Sequence, residues 1–340
     1  MARRRTFCGK SPLNRGVVRR PLRKKREGTV SGERAIETKE REGLRRRPKA
    51  RRSPEAATAW GFVLPLVVAE LAFVAAPLAL GAWYSLFRVD YFELTEFRGL
   101  GNYWTVLTST MVQQSLVATL LFSAFSLLFT VSLGMALALR LEADTRTNTW
   151  MRAIVLVPYV ISMLVGSLLL RWIYSRDAGL SGMLLGPFGL ADFSLLADPA
   201  TAMAALVSNA VWRDSAFAMI VLLAGLKAIP GQLYAAARVD GAGPWMRFTR
   251  ITLPLLRVPI LIAVVRLLIH FVNVLTFALV LTGGGPNNAT QTTGLAMYRL
   301  GFVDFRIGEA NALALLVFIF NLLLIGANLA LFRRGRSLSP

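Results

Sequence analysis

The sequence predicts an all-α fold, a polytopic membrane protein with six transmembrane helices. Hydrophobic residues make up 55% and charged residues 17% of its 340 residues, and the mean hydropathy of +0.52 is too high for an ordinary soluble domain. A helix needs about 20 apolar residues to cross roughly 30 Å of hydrocarbon. Six runs reach that length, and none shows the strand-length alternation of a membrane barrel: residues 60–83, 115–139, 153–173, 202–226, 258–281 and 310–332.

The charge distribution predicts that both ends of the chain are cytoplasmic. The formal net charge is +20, and residues 1–60 hold 20 Lys and Arg against 6 Asp and Glu. A basic flank before a span marks the cytoplasmic side, which favours a membrane-adjacent tail over nucleic-acid binding. With the N-terminus inside, basic residues are concentrated in the inner segments: Arg140, Arg146, Arg152, Lys227, Arg238, Arg247, Arg250, Arg257, Arg333, Arg334 and Arg336. The outer segments hold only Arg88, Arg98, Arg171, Arg176, Arg299 and Arg306.

Two domains are expected, a basic disordered tail over residues 1–57 and a membrane domain over residues 58–336. The tail is rich in Arg, Glu, Gly, Ser and Pro, a composition that does not form a packed core. The favoured interpretation is a solvated tail attracted weakly to anionic lipid. A dedicated binding role and a later translation start, for example at Val30, remain open.

No nucleotide site and no disulfide framework are expected in this chain. Gly9-Lys10-Ser11 ends like a phosphate-binding loop, but Arg4 stands where that loop requires glycine. Cys8 is the only cysteine, so no internal disulfide can form. Any ATP chemistry must therefore belong to a partner.

A polar segment over residues 227–257 separates the fourth and fifth apolar runs and is expected at the inner membrane surface. Proline disfavours helix at the preceding residue, so Ile229-Pro230 should end the fourth span and begin a short surface helix. Asp240-Gly241 should end that helix, with the glycine in a backbone conformation that a Cβ would strain. Such a segment is either an ordinary amphipathic interfacial loop or a short helix that docks into a groove of a soluble partner.

Residues 235–254, AAARVDGAGPWMRFTRITLP, resemble the signature cytoplasmic loop of the permease subunits of binding-protein-dependent ABC importers. That loop reads Glu-Ala-Ala, three residues and Gly, and ends in Leu-Pro. The resemblance implies a coupling helix between spans four and five on which a separate ATPase acts. In this sequence Ala235 stands where the family's loop has its leading Glu, so an exposed ion pair worth about 0–1 kcal/mol is expected to be missing. The implied coupling residues are Ala235, Ala236, Ala237, Asp240, Gly241, Ala242, Leu253 and Pro254.

Further motifs over about residues 60–335 resemble the carbohydrate-uptake branch of this family, the maltose and glycerol-phosphate type. They follow the expected order along the chain: Gly99-Leu100-Gly101-Asn102-Tyr103, Pro158-Tyr159, Asp177-Ala178-Gly179-Leu180, Leu223-Ala224-Gly225-Leu226, Leu233-Tyr234 and Thr282-Gly283-Gly284-Gly285-Pro286. The resemblance implies that the transported compound is a sugar, an oligosaccharide or a related polyol.

Polar side chains within the fourth and fifth spans predict a substrate route. A charge at the bilayer centre costs at least about 2.5 kcal/mol, so such groups normally face a cavity or one another. One set shares a helical face at spacing i, i+4, i+7, and the other lies near the middle of span four. Together with an aromatic ring, such a face suits a polyhydroxylated ligand. The candidate route residues are Arg213, Asp214, Phe217, Arg266, His270 and Asn273.

The alternative interpretation of these groups is structural pairing, of Arg213 with Asp214 or of Glu70 with Arg266. His270 is the only histidine and has no Cys or carboxylate cluster around it in the sequence, so no metal site is expected. No nucleophile–base arrangement predicts catalysis either, so no catalytic residue is assigned.

The sequence thus predicts a membrane-spanning permease subunit of an ABC importer in the bacterial cytoplasmic membrane. The resemblance implies four kinds of partner: a second, non-identical permease, an ABC ATPase dimer, an extracytoplasmic solute-binding protein and membrane lipid. No cofactor and no nucleic acid are expected. The alternatives are a secondary transporter of a small polar solute, whose inverted repeat is not evident, and a membrane scaffold that acts through its basic tail.

Overall fold

The computed structural model of the chain describes residues 54–91, 93–175 and 194–336. The expected tail up to residue 53 and the Asp177-Ala178-Gly179-Leu180 motif lie outside these residues. The helices are α1 (Pro54–Glu70), α2 (Ala76–Tyr84), α3 (Gly101–Thr108), α4 (Thr110–Arg140), α5 (Arg146–Val160), α6 (Met163–Tyr174), α7 (Pro199–Lys227), α8 (Gly231–Val239), α9 (Pro244–Arg247), α10 (Leu253–Leu255), α11 (Arg257–Val272), α12 (Thr293–Tyr298) and α13 (Ile307–Arg336). Single π-helical turns occupy Leu71–Ala75, Phe248–Thr252, Ala278–Thr282 and Arg299–Val303.

The chain divides into two compact units, one that ends at Ala69 and another that begins at Glu70. The first unit contains most of α1, in which large apolar side chains such as Trp60 and Phe62 are exposed. A helix that is apolar on all sides is typical of a membrane span. The other elements below belong to the second unit.

The predicted membrane character of the chain is confirmed. In the described residues, four helices are long and apolar enough to span a membrane: Trp60–Tyr84, Thr110–Arg140, Pro199–Lys227 and Ile307–Ala330. They correspond to the first, second, fourth and sixth predicted runs. Two further pairs of bent helices raise the number to six if each pair is counted as one span.

The third predicted span is broken, which corrects the expectation of one continuous helix over residues 153–173. Helices α5 and α6 meet at an angle of 95°. Pro158 lacks the N–H that would bond one turn back, and Ile161 and Ser162 adopt extended backbone conformations. The break therefore follows a proline in the last turn of α5 and two residues that leave the helical conformation.

The fifth predicted span, residues 258–281, is also interrupted. Helix α11 ends at Val272, and the helical conformation returns only shortly before the π-helical turn Ala278–Thr282. Two threonines from further along the chain take up the freed carbonyl groups: Thr292 Oγ1 donates to Val274 O at 2.9 Å and Thr293 Oγ1 to Val272 O at 3.3 Å. Gly294 allows this approach, since a Cβ there would lie 2.8 Å from Val274 O.

The segment that follows span one contains a β-hairpin, so the described residues are not purely helical, contrary to expectation. Strands β1 (Phe87–Asp90) and β2 (Glu93–Phe97) pair antiparallel, with Phe87 opposite Phe97. The Gly-Leu-x-Asn-Tyr motif anchors this hairpin to helix α3. Buried Asn102 donates to Ser85 O at 2.8 Å and to Phe87 O at 2.7 Å.

The core joins helices α4, α7 and α11. Phe122 of α4 and Phe271 of α11 are fully buried and meet edge to face at 5.7 Å between ring centroids. Helices α4 and α7 approach closely at Gly134, where a Cβ would lie 2.4 Å from Ala218 Cβ. Close approach at small residues is the usual way in which helices associate within membranes. This packing holds α7 and α11 side by side around a group of charges.

Candidate functional site

Asp214 forms the centre of a cluster of charged side chains between α7 and α11. Its side chain is 0% exposed, although it lies near the middle of an apolar helix. Three basic groups surround the carboxylate: Arg213 Nη1 lies 3.6 Å and Arg266 Nη1 3.7 Å from Oδ1, and His270 Nε2 lies 3.4 Å from Oδ2. We call Arg213, Asp214, Arg266 and His270 the Asp214 cluster. The structure thus brings together two pairs of residues, far apart in the chain, that the sequence predicted to share one route.

Aromatic rings cover the two guanidinium groups of the Asp214 cluster. The guanidinium carbon of Arg266 lies 4.4 Å from the ring centroid of Phe217, and that of Arg213 lies 5.2 Å from the ring centroid of Tyr159. The Tyr159 and Phe217 rings stack at 6.2 Å. Tyr159 also accepts a hydrogen bond from Arg213 at its carbonyl, at 3.3 Å, and one from Arg266 at its hydroxyl, at 3.4 Å. Cation–π contacts of this kind stabilise an arginine away from water.

Tyr159 is the site residue that sequence reasoning missed. It belongs to the Pro-Tyr motif of span three, and nothing in the sequence links that motif to the charges of spans four and five. The break between α5 and α6 follows directly after it, and it contacts residues 54 and 107 positions away. The sequence shows only an aromatic residue beside a proline within a span, and this pattern does not reveal that Tyr159 contacts Arg213 and Arg266.

The Asp214 cluster is rich in hydrogen-bonding capacity that the protein does not use. Five of its buried atoms have no hydrogen-bond partner: both carboxylate oxygens of Asp214, Arg213 Nε, Arg266 Nη1 and His270 Nε2. Buried polar atoms are normally paired, and unpaired ones in a native site indicate a functional constraint or a missing ligand or water. The carboxylate oxygens, Arg266 Nη1 and His270 Nε2 face one another at 3.4 to 3.7 Å, so the cluster is held together by charge and not by hydrogen bonds.

Asn273 does not join the Asp214 cluster, contrary to the helical spacing that grouped it with His270. Because α11 ends at Val272, Asn273 caps the helix and its side chain is exposed. Its amide forms a reciprocal pair with Asn321 of α13, with N···O distances of 3.2 and 3.1 Å. Asn273 thus links two spans.

Glu70 is not the partner of Arg266. Within the described residues, the carboxylate within 4 Å of Arg266 is that of Asp214. Glu70 is exposed, and it directly precedes the π-helical turn of span one. Arg213 and Asp214 contact each other, as the structural alternative predicts, but they do so as part of the larger Asp214 cluster.

The loop between α7 and α11, which the sequence predicts to be cytoplasmic, contains the expected short helix and break. Helix α8 ends in a Schellman motif, in which Ala242 N donates to Ala237 O at 2.8 Å and Gly241 N to Arg238 O at 3.1 Å. Gly241 has φ +74°, the left-handed conformation expected at that position. Gly243 then caps α9, with Pro244 at its first turn. The loop therefore turns sharply without side-chain crowding at Gly241.

Helix α8 is available for contact along one face. It has no buried residue, and Gln232, Ala235, Ala236 and Val239 are all exposed at helical spacing. This face carries no charge, because Ala235 replaces the acidic residue of the family pattern. The remaining coupling residues Asp240, Gly241, Leu253 and Pro254 are also exposed, while Ala237 and Ala242 are half-buried.

The other face of α8 is held against the rest of the loop. Tyr234 Oη and Thr252 Oγ1 are 2.9 Å apart. A groove of about 880 Å³ lies beside this contact. It is lined by Leu139, Glu142, Gly231, Tyr234, Arg238, Pro244, Trp245, Arg247, Phe248 and Thr252.

The turn between α4 and α5, predicted to lie at the inner face, is tied to the end of α7. Asp144 Oδ1 lies 2.5 Å from Lys227 Nζ and 3.2 Å from Arg152 Nη1. The hydrogen bond from Lys227, and then that from Arg152, holds the pKa of Asp144 below its usual range. Arg152 also donates to Leu141 O at 2.9 Å and to Glu142 O at 3.0 Å, which satisfies carbonyl groups left open at the end of α4.

The described residues contain no group of three or more His, Cys, Asp or Glu side chains that could hold a metal ion. In the Asp214 cluster, a single carboxylate is surrounded by three basic groups. Such a donor set binds anions or hydroxyl groups better than it binds cations.

Comparison with known proteins identifies the family. Residues 130–337 match the model of the binding-protein-dependent transport system inner membrane component. The trehalose/maltose transport system permease protein MalF of Thermococcus litoralis is 34% identical over 284 residues, which cover 82% of this chain and 96% of that protein. The trehalose transport system permease protein SugA of Mycobacterium tuberculosis is 32% identical over 271 residues, 78% of this chain and 86% of that protein.

The fold also matches a solved transporter. A chain of a bacterial alginate ABC transporter, crystallised with an alginate pentasaccharide-bound periplasmic protein, superposes with a TM-score of 0.73. The match covers 83% of this chain and 96% of that chain at 24% sequence identity, so it supports the fold alone. These comparisons agree with the multi-pass helical architecture described above. The chain belongs to the inner-membrane components of binding-protein-dependent transport systems and is a permease subunit of such a system.

Proposed function

We propose that this chain is one of two permease subunits of an ATP-driven importer for a sugar, an oligosaccharide or a related polyol. Relatives named for trehalose, maltose and sn-glycerol-3-phosphate transport support this substrate class. The other parts would be a second, non-identical permease, a dimeric ATPase and an extracytoplasmic binding protein. The energy of ATP hydrolysis would enter this chain through its contact with that ATPase.

The coupling loop is the proposed point of entry. The exposed, uncharged face of α8 suits a groove in a soluble partner, because an amphipathic helix docks by placing small and apolar residues in a groove. Without the acidic residue at position 235, docking would depend on shape rather than on an ion pair. The Schellman turn at Gly241 fixes the direction in which the chain leaves that groove.

The observation that carries the proposal is the direct connection between this loop and the Asp214 cluster. Helix α7 holds Arg213 and Asp214 and ends at Lys227, where the loop begins. Helix α11 begins at Arg257, where the loop ends, and holds Arg266 and His270. Movement of the loop would therefore tilt both helices and change the geometry of the cluster. Arg213, Phe217, Arg266 and His270 are proposed to line the substrate route with Asp214 behind them, and Tyr159 is added to this set.

The test is uptake by the complete transporter in proteoliposomes, with ATP inside and the loaded binding protein outside. We expect sugar uptake that needs ATP, this chain and the binding protein, and that persists when residues 1–50 are removed. Uptake driven by an ion gradient without ATP would instead indicate a secondary transporter. Unchanged uptake without this chain, together with a defect on removal of the tail, would indicate a scaffold.

A further inference from the structure

We propose that the Asp214 cluster receives an acidic group of the transported compound, so that the substrate is an acidic sugar or polyol rather than a neutral one. The acidic group would be a carboxylate, a phosphate or a sulfonate. This inference rests on the proposed function, since it takes the face between α7 and α11 as the substrate route.

The Asp214 cluster carries more positive than negative charge. Arginine stays protonated in proteins, so Arg213 and Arg266 contribute two fixed positive charges. Asp214 supplies one negative charge, and in the described residues it is the carboxylate within ion-pair distance of either arginine. The cluster therefore carries an excess of at least one positive charge within an apolar span, where an unbalanced charge is unfavourable.

The basic side chains of the cluster are more exposed than its carboxylate. Asp214 has no exposed surface, whereas the side chains of Arg213, His270 and Arg266 are 14%, 20% and 38% exposed. A ligand would meet the guanidinium and imidazole groups before it came near the carboxylate. Asp214 would hold the basic groups in place from behind and would not repel an approaching anion directly.

The geometry around Arg266, the most exposed member of the cluster, also favours an anion. Within the described residues its one hydrogen bond runs from Nη2 to the hydroxyl of Tyr159, at the long distance of 3.4 Å. Nη1 is buried and faces Asp214 Oδ1 at 3.7 Å, beyond hydrogen-bond distance, so the exposed edge of the guanidinium is the part that a ligand would meet. A planar guanidinium matches a carboxylate or phosphate in a bidentate arrangement.

The experiment compares matched probes in the complete reconstituted transporter. One pair is a uronic-acid disaccharide and its neutral hexose counterpart, and the other is glycerol 3-phosphate and glycerol. Each probe is tested for ATP-dependent uptake and as a competitor for the uptake of the others. We expect the acidic member of a pair to be taken up at least about tenfold better, because a site built for one polar group rejects an analogue without it.

The variants assign that preference to this chain. Arg266→Gln should reduce the preference for the acidic probe by about tenfold, whereas Arg266→Lys, which keeps the charge, should retain most of it. Arg146→Gln is the matched control, because it removes one exposed arginine at the start of α5, outside the cluster. That control should keep the wild-type preference.

Three results would overturn the proposal. One is equal uptake of the acidic and neutral members of each pair, with equal losses for both in Arg266→Gln; the proposed sugar import would then stand without the acidic class. Another is failure of Arg266→Gln to assemble, restored when a carboxylate of the second permease is neutralised, since the charge would then be balanced between subunits. The last, no ATP-dependent uptake of any probe, would overturn the proposed function as well.

Discussion

At the scale of single residues, the backbone at Gly241 decides the path of the cytoplasmic loop. A φ of +74° is open to glycine but costs a residue with a Cβ roughly 1–2 kcal/mol, and a β-branched residue more. No atom lies within 4 Å of a Cβ built at this position, so the cost of a substitution arises from the backbone and not from crowding. Strain there should distort the turn and leave the spans intact.

We therefore predict that Gly241→Val uncouples the transporter without removing the chain from the membrane. Stimulation of the ATPase by loaded binding protein should be lost in the purified complex, while the yield of chain in the membrane stays near that of the wild type. Gly231→Ala is the control, because Gly231 also has open space around it and an ordinary φ. Wild-type stimulation in Gly241→Val would refute the coupling role of this turn.

His270 and Asn273 are separated by the structure, and their variants should differ accordingly. His270→Leu removes a polar partner from the Asp214 cluster, which should cost roughly 1–3 kcal/mol in substrate interaction and lower uptake per assembled complex about tenfold. Asn273→Leu breaks an amide pair with Asn321 and should lower assembly instead, by about 0.6 kcal/mol on the scale of such bonds in membranes. Uptake is normalised to the assembled complex in both cases.

A double-mutant cycle separates these roles further. If the pair is structural, Asn273→Leu and Asn321→Leu together should cost little more than either change alone, because each already breaks the same contact. A loss of uptake per complex in Asn273→Leu as large as that in His270→Leu would return Asn273 to the substrate route.

At the scale of the helices, the sequence predicts where spans occur but not where they break. Long apolar runs determine helices α4, α7 and α13, and proline and glycine at positions 230 and 241 determine the short helix α8. The end of α11 depends on Thr292, Thr293 and Gly294, which return to it about 20 residues later. The helical spacing that grouped Asn273 with His270 fails for the same reason, since such spacing holds only while the helix continues.

The charge cluster is predicted only in part for a similar reason. Arg213 with Asp214 and Arg266 with His270 are near neighbours within single helices, and a charge in an apolar run is visible in any sequence. The pairing of Asp214 with three groups, and the place of Tyr159 beside them, depend on the approach of α5, α7 and α11. Tertiary packing of this kind is not encoded in the local pattern.

The packing of α4 against α7 leads to a prediction about Gly134. Its Cβ would lie 2.4 Å from Ala218 Cβ and 3.0 Å from a backbone nitrogen, so Gly134→Val must force the two helices apart. Overpacking of this kind typically costs about 1–3 kcal/mol. The yield and melting temperature of the complex should fall, and Gly326→Ala, where nothing lies within 4 Å, should have little effect. Equal stability of both variants would contradict the close packing.

The inner turn gives a prediction with a defined pH dependence. Because Lys227 and Arg152 lower the pKa of Asp144, its contribution to stability is complete above the ordinary carboxyl pKa and is lost as the pH falls through the lowered value. The melting-temperature difference between wild type and Asp144→Asn should therefore stay constant from about pH 5 to 8 and shrink only below about pH 4. A difference that changes around neutral pH would show that another group titrates with this turn.

At the scale of the whole molecule, the charge asymmetry and the coupling assignment depend on each other. The loop that contains α8 must face the cytoplasm if an ATPase is to act on it. The turn that contains Asp144 must then lie on the same side, because Asp144 contacts Lys227 at the start of that loop. The β-hairpin and helix α3 must then face outward, where a binding protein would dock. A single test of sidedness therefore examines the topology and the coupling proposal together.

We predict opposite labelling of two exposed positions in intact cells by a membrane-impermeant thiol reagent. Cys8, the only cysteine of the chain, is first replaced by Ser. Cysteine at Leu100, which is 73% exposed before α3, should react from outside, because the outer segments carry few basic residues. Cysteine at Ala236, on the exposed face of α8, should react only after the inner face is opened, and less when the ATPase is present. Labelling of Ala236→Cys in sealed cells would show that α8 lies on the outer face, where it could not contact the ATPase.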